Sequence, residues 1–155
     1  MKSLIARRRL LTLGTLAALP WLSVPGRAQR LNPFIGITSV EVFCNSAMLV
    51  EPLANPPFRQ AIYRMDALEQ TLRSINAHVP HDENAARRWL AANQKQIKRL
   101  VMAPGLAVAN AINRANYYRI DRLPAIVINS RGVIYGVTDV ADAVARYQAH
   151  IQGRR

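Results

Sequence analysis

The sequence predicts an α/β domain, a central mixed sheet of about four strands flanked by helices in the order β-β-α-α-β-β-α. Three observations carry that reading. Short runs rich in β-branched and aromatic residues stand at 39–44, 61–65, 124–129 and 133–135. A long stretch with helical periodicity separates the second run from the third, and another closes the chain. Half of the 155 residues are hydrophobic and a single one is cysteine, so a core at this length rests on apolar packing rather than on disulfides or a Cys-rich metal module.

Ser39-Val40-Glu41-Val42-Phe43-Cys44 has the composition of a buried strand. Residues 45–58 hold Pro52, Pro56 and Pro57 beside Asn55, and prolines, lacking an N–H, exclude a long regular helix there. Ala61-Ile62-Tyr63-Arg64-Met65 is the second strand. Asp66 and Glu69 then stand at capping-box spacing: the Asp oxygen is expected to take a backbone N–H while Glu69 reaches back, starting a helix whose apolar stripe is Leu68, Leu72 and Ile75. The next helix begins after Asp82 and runs to about Met102, with Ala86, Trp89, Leu90, Ile97, Leu100 and Val101 on one face. Pro104-Gly105 is expected to break or kink it, with helix resuming over 106–113.

The C-terminal third is the most legible. Pro124-Ala125-Ile126-Val127-Ile128-Asn129 is a continuous apolar run of the kind that sits mid-sheet, covered on both faces. Asn129-Ser130-Arg131-Gly132 has turn chemistry, with Gly132 expected at positive φ, and Val133-Ile134-Tyr135 returns as the second strand of a hairpin ended by Gly136. Thr138 is placed as the cap of the last helix, in which Val140, Val144, Tyr147 and Ile151 follow helical spacing. Asp139 and Asp142 lie near its start and Arg146, His150, Arg154 and Arg155 toward its end, as the helix dipole favours.

A β-α-β unit followed by a β-β-α unit, joined by helical material, is the thioredoxin-like topology. In that fold a proline directly precedes the third strand, usually after a cis bond, and Arg122-Leu123-Pro124-Ala125-Ile126-Val127 matches, making Leu123 and Pro124 the candidate cis-proline loop. Dithiol exchange needs one cysteine with a lowered pKa at a helix N-terminus and a second to resolve the mixed disulfide. Here Cys44 directly abuts the first strand, prolines follow where the activating helix should begin, and no second cysteine is present. Cys44 is therefore read as a structural thiol. Disulfide exchange through Cys44 with an external thiol, as a monothiol enzyme or chaperone, is the alternative.

The first 28 residues read as an export signal: a basic start from Met1 to Arg9, an apolar run from Leu10 to Val24, and small residues at Gly26 and Ala28 for cleavage. A membrane span needs about 20 predominantly apolar residues, and this run is shorter and interrupted by Pro20; an uncleaved anchor is the competing reading. Arg7-Arg8 resembles the twin-arginine pattern, although general secretion is favoured. Residues 29–38 are then an N-terminal extension, 39–152 the domain and 153–155 a basic tail. The net charge of +12 falls to +7 once 1–28 are removed, because five positive and no acidic residues leave. The remaining basic concentration at Arg87, Arg88, Lys95, Lys98 and Arg99 is read as a solvated helix face; contact with acidic partners is the sharper alternative, and no nucleic-acid motif or aromatic interleaving accompanies it.

Val40-Glu41-Val42-Phe43, Tyr63-Arg64-Met65-Asp66-Ala67-Leu68-Glu69, Leu123-Pro124-Ala125-Ile126-Val127-Ile128 and Val133-Ile134-Tyr135-Gly136-Val137-Thr138-Asp139-Val140-Ala141 stand in the order and spacing of a small family of integrating conjugative element proteins. The chain resembles that family over about residues 39–149. The resemblance implies a periplasmic thioredoxin-like accessory of a conjugative type IV secretion apparatus; with one cysteine it is read as redox-inactive, no cofactor is expected, and its expected partners are envelope proteins rather than nucleic acid. The expected partner-binding surface lies at the C-terminal end of the first strand: Met48, Leu49, Val50 and Leu53 of the 45–58 loop with Leu123 of the proline loop.

Other constellations carry less chemistry. His78 and His81 flank Pro80 with no third ligand at suitable spacing, so no metal site is expected. The paired carboxylates Asp66 and Glu69 are accounted for by capping without acid–base work, and Trp89 by the core. No nucleophile elbow, phosphate-cradling glycine loop or zinc-protease motif is present.

Overall fold

The computed structural model describes residues 33–153; the export signal assigned to residues 1–28 and the last two residues of the basic tail lie outside the described residues. The elements are β1 (Ser39–Cys44), β2 (Arg59–Arg64), α1 (Ala67–Asn76), α2 (Glu83–Tyr117), β3 (Ala125–Ile128), β4 (Gly132–Tyr135) and α3 (Val140–Gln152), in the order read from the sequence. They form a mixed α/β fold on a four-stranded sheet ordered β2-β1-β3-β4. β1 runs parallel to β2, with Ser39 opposite Arg59, and antiparallel to β3, with Phe43 opposite Ala125; β3 and β4 make the hairpin.

Side chains alternate across a strand, so each central strand feeds two cores. Val40 and Val42 of β1 and Ile126 and Ile128 of β3 pack with Val140 and Val144 of α3. Phe43, Ala125 and Val127 point the other way, against Ala115 near the end of α2. β3 is buried at all four positions, as its unbroken apolar sequence requires.

Parallel strands need a crossover of a dozen residues or more, usually a helix. Here the proline-containing loop 45–58 serves. Its Val50 and Leu53 pack against the α3-side core and Phe58 is buried in it. The loop backbone is fixed to the start of α3: Glu51 N–H donates to the Thr138 carbonyl at 3.1 Å, and Val140 N–H donates to the Glu51 carbonyl at 3.2 Å. The packed unit also extends ahead of β1, where Ile37 is buried and Phe34 sets its ring edge-on to Phe58.

Several local expectations are corrected. The second strand is Arg59–Arg64, two residues earlier at its start than its apolar core suggested, because pairing to β1 begins at Ser39. Asp66 precedes α1 without a side-chain cap bond: its carboxylate instead accepts from Ser46, and Glu69 is drawn into an ion pair with Arg73 one turn on. Asp139, not Thr138, caps α3, accepting from Ala141 N–H at 2.8 Å. In the β3–β4 turn the positive φ values fall on Asn129 (52°) and Ser130 (55°) rather than on Gly132. Asn129 is held there by its own amide, which accepts from Thr38 N–H at 2.8 Å and donates to the Gly36 carbonyl at 2.8 Å. Gly132 has a different reason to lack a side chain: a Cβ there would stand 2.5 Å from the Tyr147 ring.

The largest difference is α2. Pro104-Gly105 does not end the helix, which runs through 35 residues from its Asp82 cap, where Ala85 N–H donates to Oδ1 at 2.8 Å. A proline removes one hydrogen bond and crowds the carbonyl four residues back, but both halves are anchored separately: α1 packs along the N-terminal part, and Ala111 and Ala115 seat the C-terminal part on the sheet. At 1.5 Å per residue the helix is about 52 Å long, while the four-residue β3 beneath it spans about 13 Å. α1 and the first two thirds of α2 thus form a helical arm carried by the sheet.

Candidate functional site

Two regions offer chemistry or contact: the sheet end where β1 stops, and the arm. At the first, antiparallel register places Cys44 and Pro124 at the same end of the sheet, and the Leu123–Pro124 bond is cis. Arg122, two residues earlier, lays its guanidinium 4.6 Å from the centre of the Tyr135 ring. Beyond Cys44 the chain turns at once. Ser46 N–H donates to both Asp66 carboxylate oxygens at 3.0 and 2.9 Å, and the Ser46 hydroxyl donates to Oδ1 at 3.0 Å. These bonds from Ser46 hold the Asp66 carboxyl below its ordinary range. Asp66 is thus the residue that pins the loop after β1.

Cys44 itself is fully buried, with its sulfur 3.8 Å from the Tyr63 carbonyl. Burial pushes the thiol up from its ordinary pKa, with Asp66 adding to the effect and Arg64 opposing it. A thiolate is the nucleophile in exchange chemistry, and burial disfavours it here by closing access and by desolvating the charge. Of the loop residues expected to meet a partner, Leu49 is 80% exposed and Met48 half-buried, while Val50 and Leu53 lean on the α3-side core. Leu123 packs against the opposite, α2-side core. The sheet end therefore presents Leu49 and the edges of Met48 and Leu123, held from behind by buried neighbours.

Sequence reasoning passed over one cluster. Glu41, in the middle of β1, is 6% exposed and is the only buried charged residue among those described. Arg114 of α2 grips its carboxylate with Nε and Nη2, and the Tyr118 hydroxyl donates to Oε1 at 2.8 Å. Burial alone would raise the Glu41 pKa; the hydrogen bonds from Arg114 and Tyr118 outweigh it and hold the group below its ordinary value, and the same pairing raises Arg114. A charged residue inside the run Val-Glu-Val-Phe was the available signal. Both carboxylate oxygens are engaged from the end of α2, with Tyr63 of β2 as a further partner, so the arrangement fastens that helix to the sheet.

On the arm, α1 and α2 enclose a cleft of about 320 Å³ lined by Ser74, Ile75, His78, Trp89 and Asn93. Trp89 sits in this cleft rather than in the sheet core, half-buried. His78 places Nδ1 2.7 Å from the Ser74 carbonyl oxygen. No three metal-binding side chains come together among the described residues, and none of their helices is long and apolar enough to cross a membrane. The sequence profile of the family described as "Protein of unknown function (DUF1525)" matches residues 37–153. The chain belongs to that family. No curated protein and no solved structure matches it.

Proposed function

We propose that this is a thioredoxin-like domain that has kept the architecture of an oxidoreductase without its thiol chemistry, and that it acts as a periplasmic binding protein of a conjugative transfer apparatus. The observation that carries the non-catalytic part is Cys44: fully buried, displaced toward the protonated thiol, and without a second cysteine to resolve a mixed disulfide. The thioredoxin-like part is supported by the strand order β2-β1-β3-β4 with β1 parallel to β2 and β3 antiparallel to both neighbours, which is the arrangement a β-α-β unit joined to a β-β-α unit requires. In this chain loop 45–58 takes the place of the first crossover helix, and with it goes the helix N-terminus that would lower a thiol pKa. The conjugative role rests on the resemblance of four sequence blocks, and the periplasmic location on the export signal.

The partner surface assigned here is the sheet end that presents Leu49 with the edges of Met48 and Leu123, while Val50 and Leu53 hold the loop against the core. The test replaces the deleted gene by Cys44→Ala and, separately, by Leu49→Asp with Leu123→Asp, and measures conjugation frequency beside insulin reduction by the purified proteins. Full complementation by Cys44→Ala and a loss with the double variant are expected, with no reductase activity from wild type. Thiol-dependent activity that disappears in Cys44→Ala would instead establish the monothiol exchange enzyme.

A further inference from the structure

The outward side of α2 carries a second, distinct surface. Arg88, Lys95, Arg99, Met102 and Leu106 follow one another at spacings of seven, four, three and four, which places them on a single helical stripe. All five are exposed, Met102 at 63% and Leu106 at 66%. The stripe turns from basic to apolar along its length, and between Glu83 and the end of α2 there is no acidic residue.

The basic half has no ion-pair counterpart among the described residues. Among the described residues Arg88, Lys95 and Arg99 make no ion pair, and neither does the adjacent Lys98, whereas Arg87 is engaged by Glu83. The helical carboxylates are occupied locally: Glu69 by Arg73, Asp142 by Arg146, and Asp82 and Asp139 as caps. Glu41 is buried under Arg114. Each described helix carries a single carboxylate, Glu69 in α1, Glu83 in α2 and Asp142 in α3, so a second copy offers no acidic helix face to complement the stripe, and docking two copies through it would set cations against cations. Nucleic acid would match the cations but leave Met102 and Leu106 uncovered. A membrane surface favours an apolar strip flanked by cations across the helix, whereas here cations and apolar residues succeed one another along it.

We infer that this stripe binds an amphipathic helix of another protein, acidic along one half of its contact face and apolar along the other. From Arg88 to Leu106 the stripe is about 27 Å long, or about five turns of a partner helix. The charges would set register and orientation and speed encounter, while Met102 and Leu106 would supply the desolvated contact. The surface lies on the arm and does not depend on the sheet-end assignment or on the conjugative reading.

The test titrates the full-length protein with a labelled synthetic helical peptide that carries glutamates on one half of a face and leucines on the other, and with a peptide of the same composition scrambled around the helix. Saturable binding that is at least about tenfold tighter for the ordered peptide is expected, weakening as salt rises. Lys95→Glu with Arg99→Glu should weaken it by about tenfold or more, and Met102→Gln with Leu106→Gln by about fivefold or more, since both pairs keep good helix formers at exposed positions. Hydrogen exchange on wild type should slow over 88–106 on binding, a readout that needs no variant. The inference falls if the scrambled peptide binds equally well, if the glutamine pair has no effect, if protection appears elsewhere, or if phosphatidylglycerol vesicles or duplex DNA bind more tightly than the ordered peptide.

Discussion

In the sheet, Val40, Val42, Phe43, Ile126 and Ile128 are wholly removed from water, whereas the 35 residues of α2 place only Ala111 and Ala115 in the core and leave Met102, Leu106 and Tyr117 more than 60% exposed. The two regions differ in what covers them. Each central strand is sandwiched between α3 and the end of α2, so both sets of its alternating side chains find partners. The arm packs against α1, whose own buried contribution is Ile75. Helical hydrogen bonds close within the segment, so the arm can hold its shape with little burial, through its Asp82 cap and local pairs such as Arg87 with Glu83. A strand at the centre of a sheet has no such independence.

That contrast can be broken by substitution. Phe43→Ala empties a fully buried site stacked on Tyr63, at 5.0 Å between ring centres, and is expected to lower unfolding stability by about 3–5 kcal/mol in urea denaturation. A loss under 1 kcal/mol would mean the α2-side core is not what holds the sheet. Glu41→Gln tests the fastening between the two regions. Because Arg114 is 45% exposed, the expected cost at neutral pH lies between the surface and buried limits for an ion pair, about 2 kcal/mol. The folded-state pKa of Glu41 is depressed, so the stability it contributes is present above the ordinary carboxylate pKa and is lost as pH falls through the folded value. The gap between wild type and Glu41→Gln should therefore narrow in acid; a gap independent of pH down to the acid transition would remove the ion pair as its cause. Leu106→Ala, on the arm, is expected to change stability by no more than about 0.5 kcal/mol. A cost like that of Phe43→Ala would show that the arm is buried in the free protein.

The order of elements was legible because both periodicities are strong where burial is two-sided or amphipathic: β3 reads as a strand from Ile126-Val127-Ile128, and α3 as a helix from Val140, Val144 and Tyr147. What was not legible depended on partners distant in sequence. Asp66 looked like a cap for its own helix and instead receives Ser46, twenty residues earlier. Glu41 received no reading of its own within the strand, since nothing nearby announces Arg114, 73 residues away. Gly132 looked like a turn residue, and its requirement comes from the ring of Tyr147.

The sequence by itself determined that Cys44 has no resolving partner, that residues 45–58 cannot be a long helix, and that α2 is basic and almost without carboxylates, because each of these follows from which residues are present. Tertiary structure decided that Cys44 is buried, that α2 continues through Pro104, and that its basic-to-apolar stripe faces outward. Exposure, desolvation and a helix's tolerance of one lost hydrogen bond are set by packing between residues far apart in the chain, and local pattern carries no record of that packing.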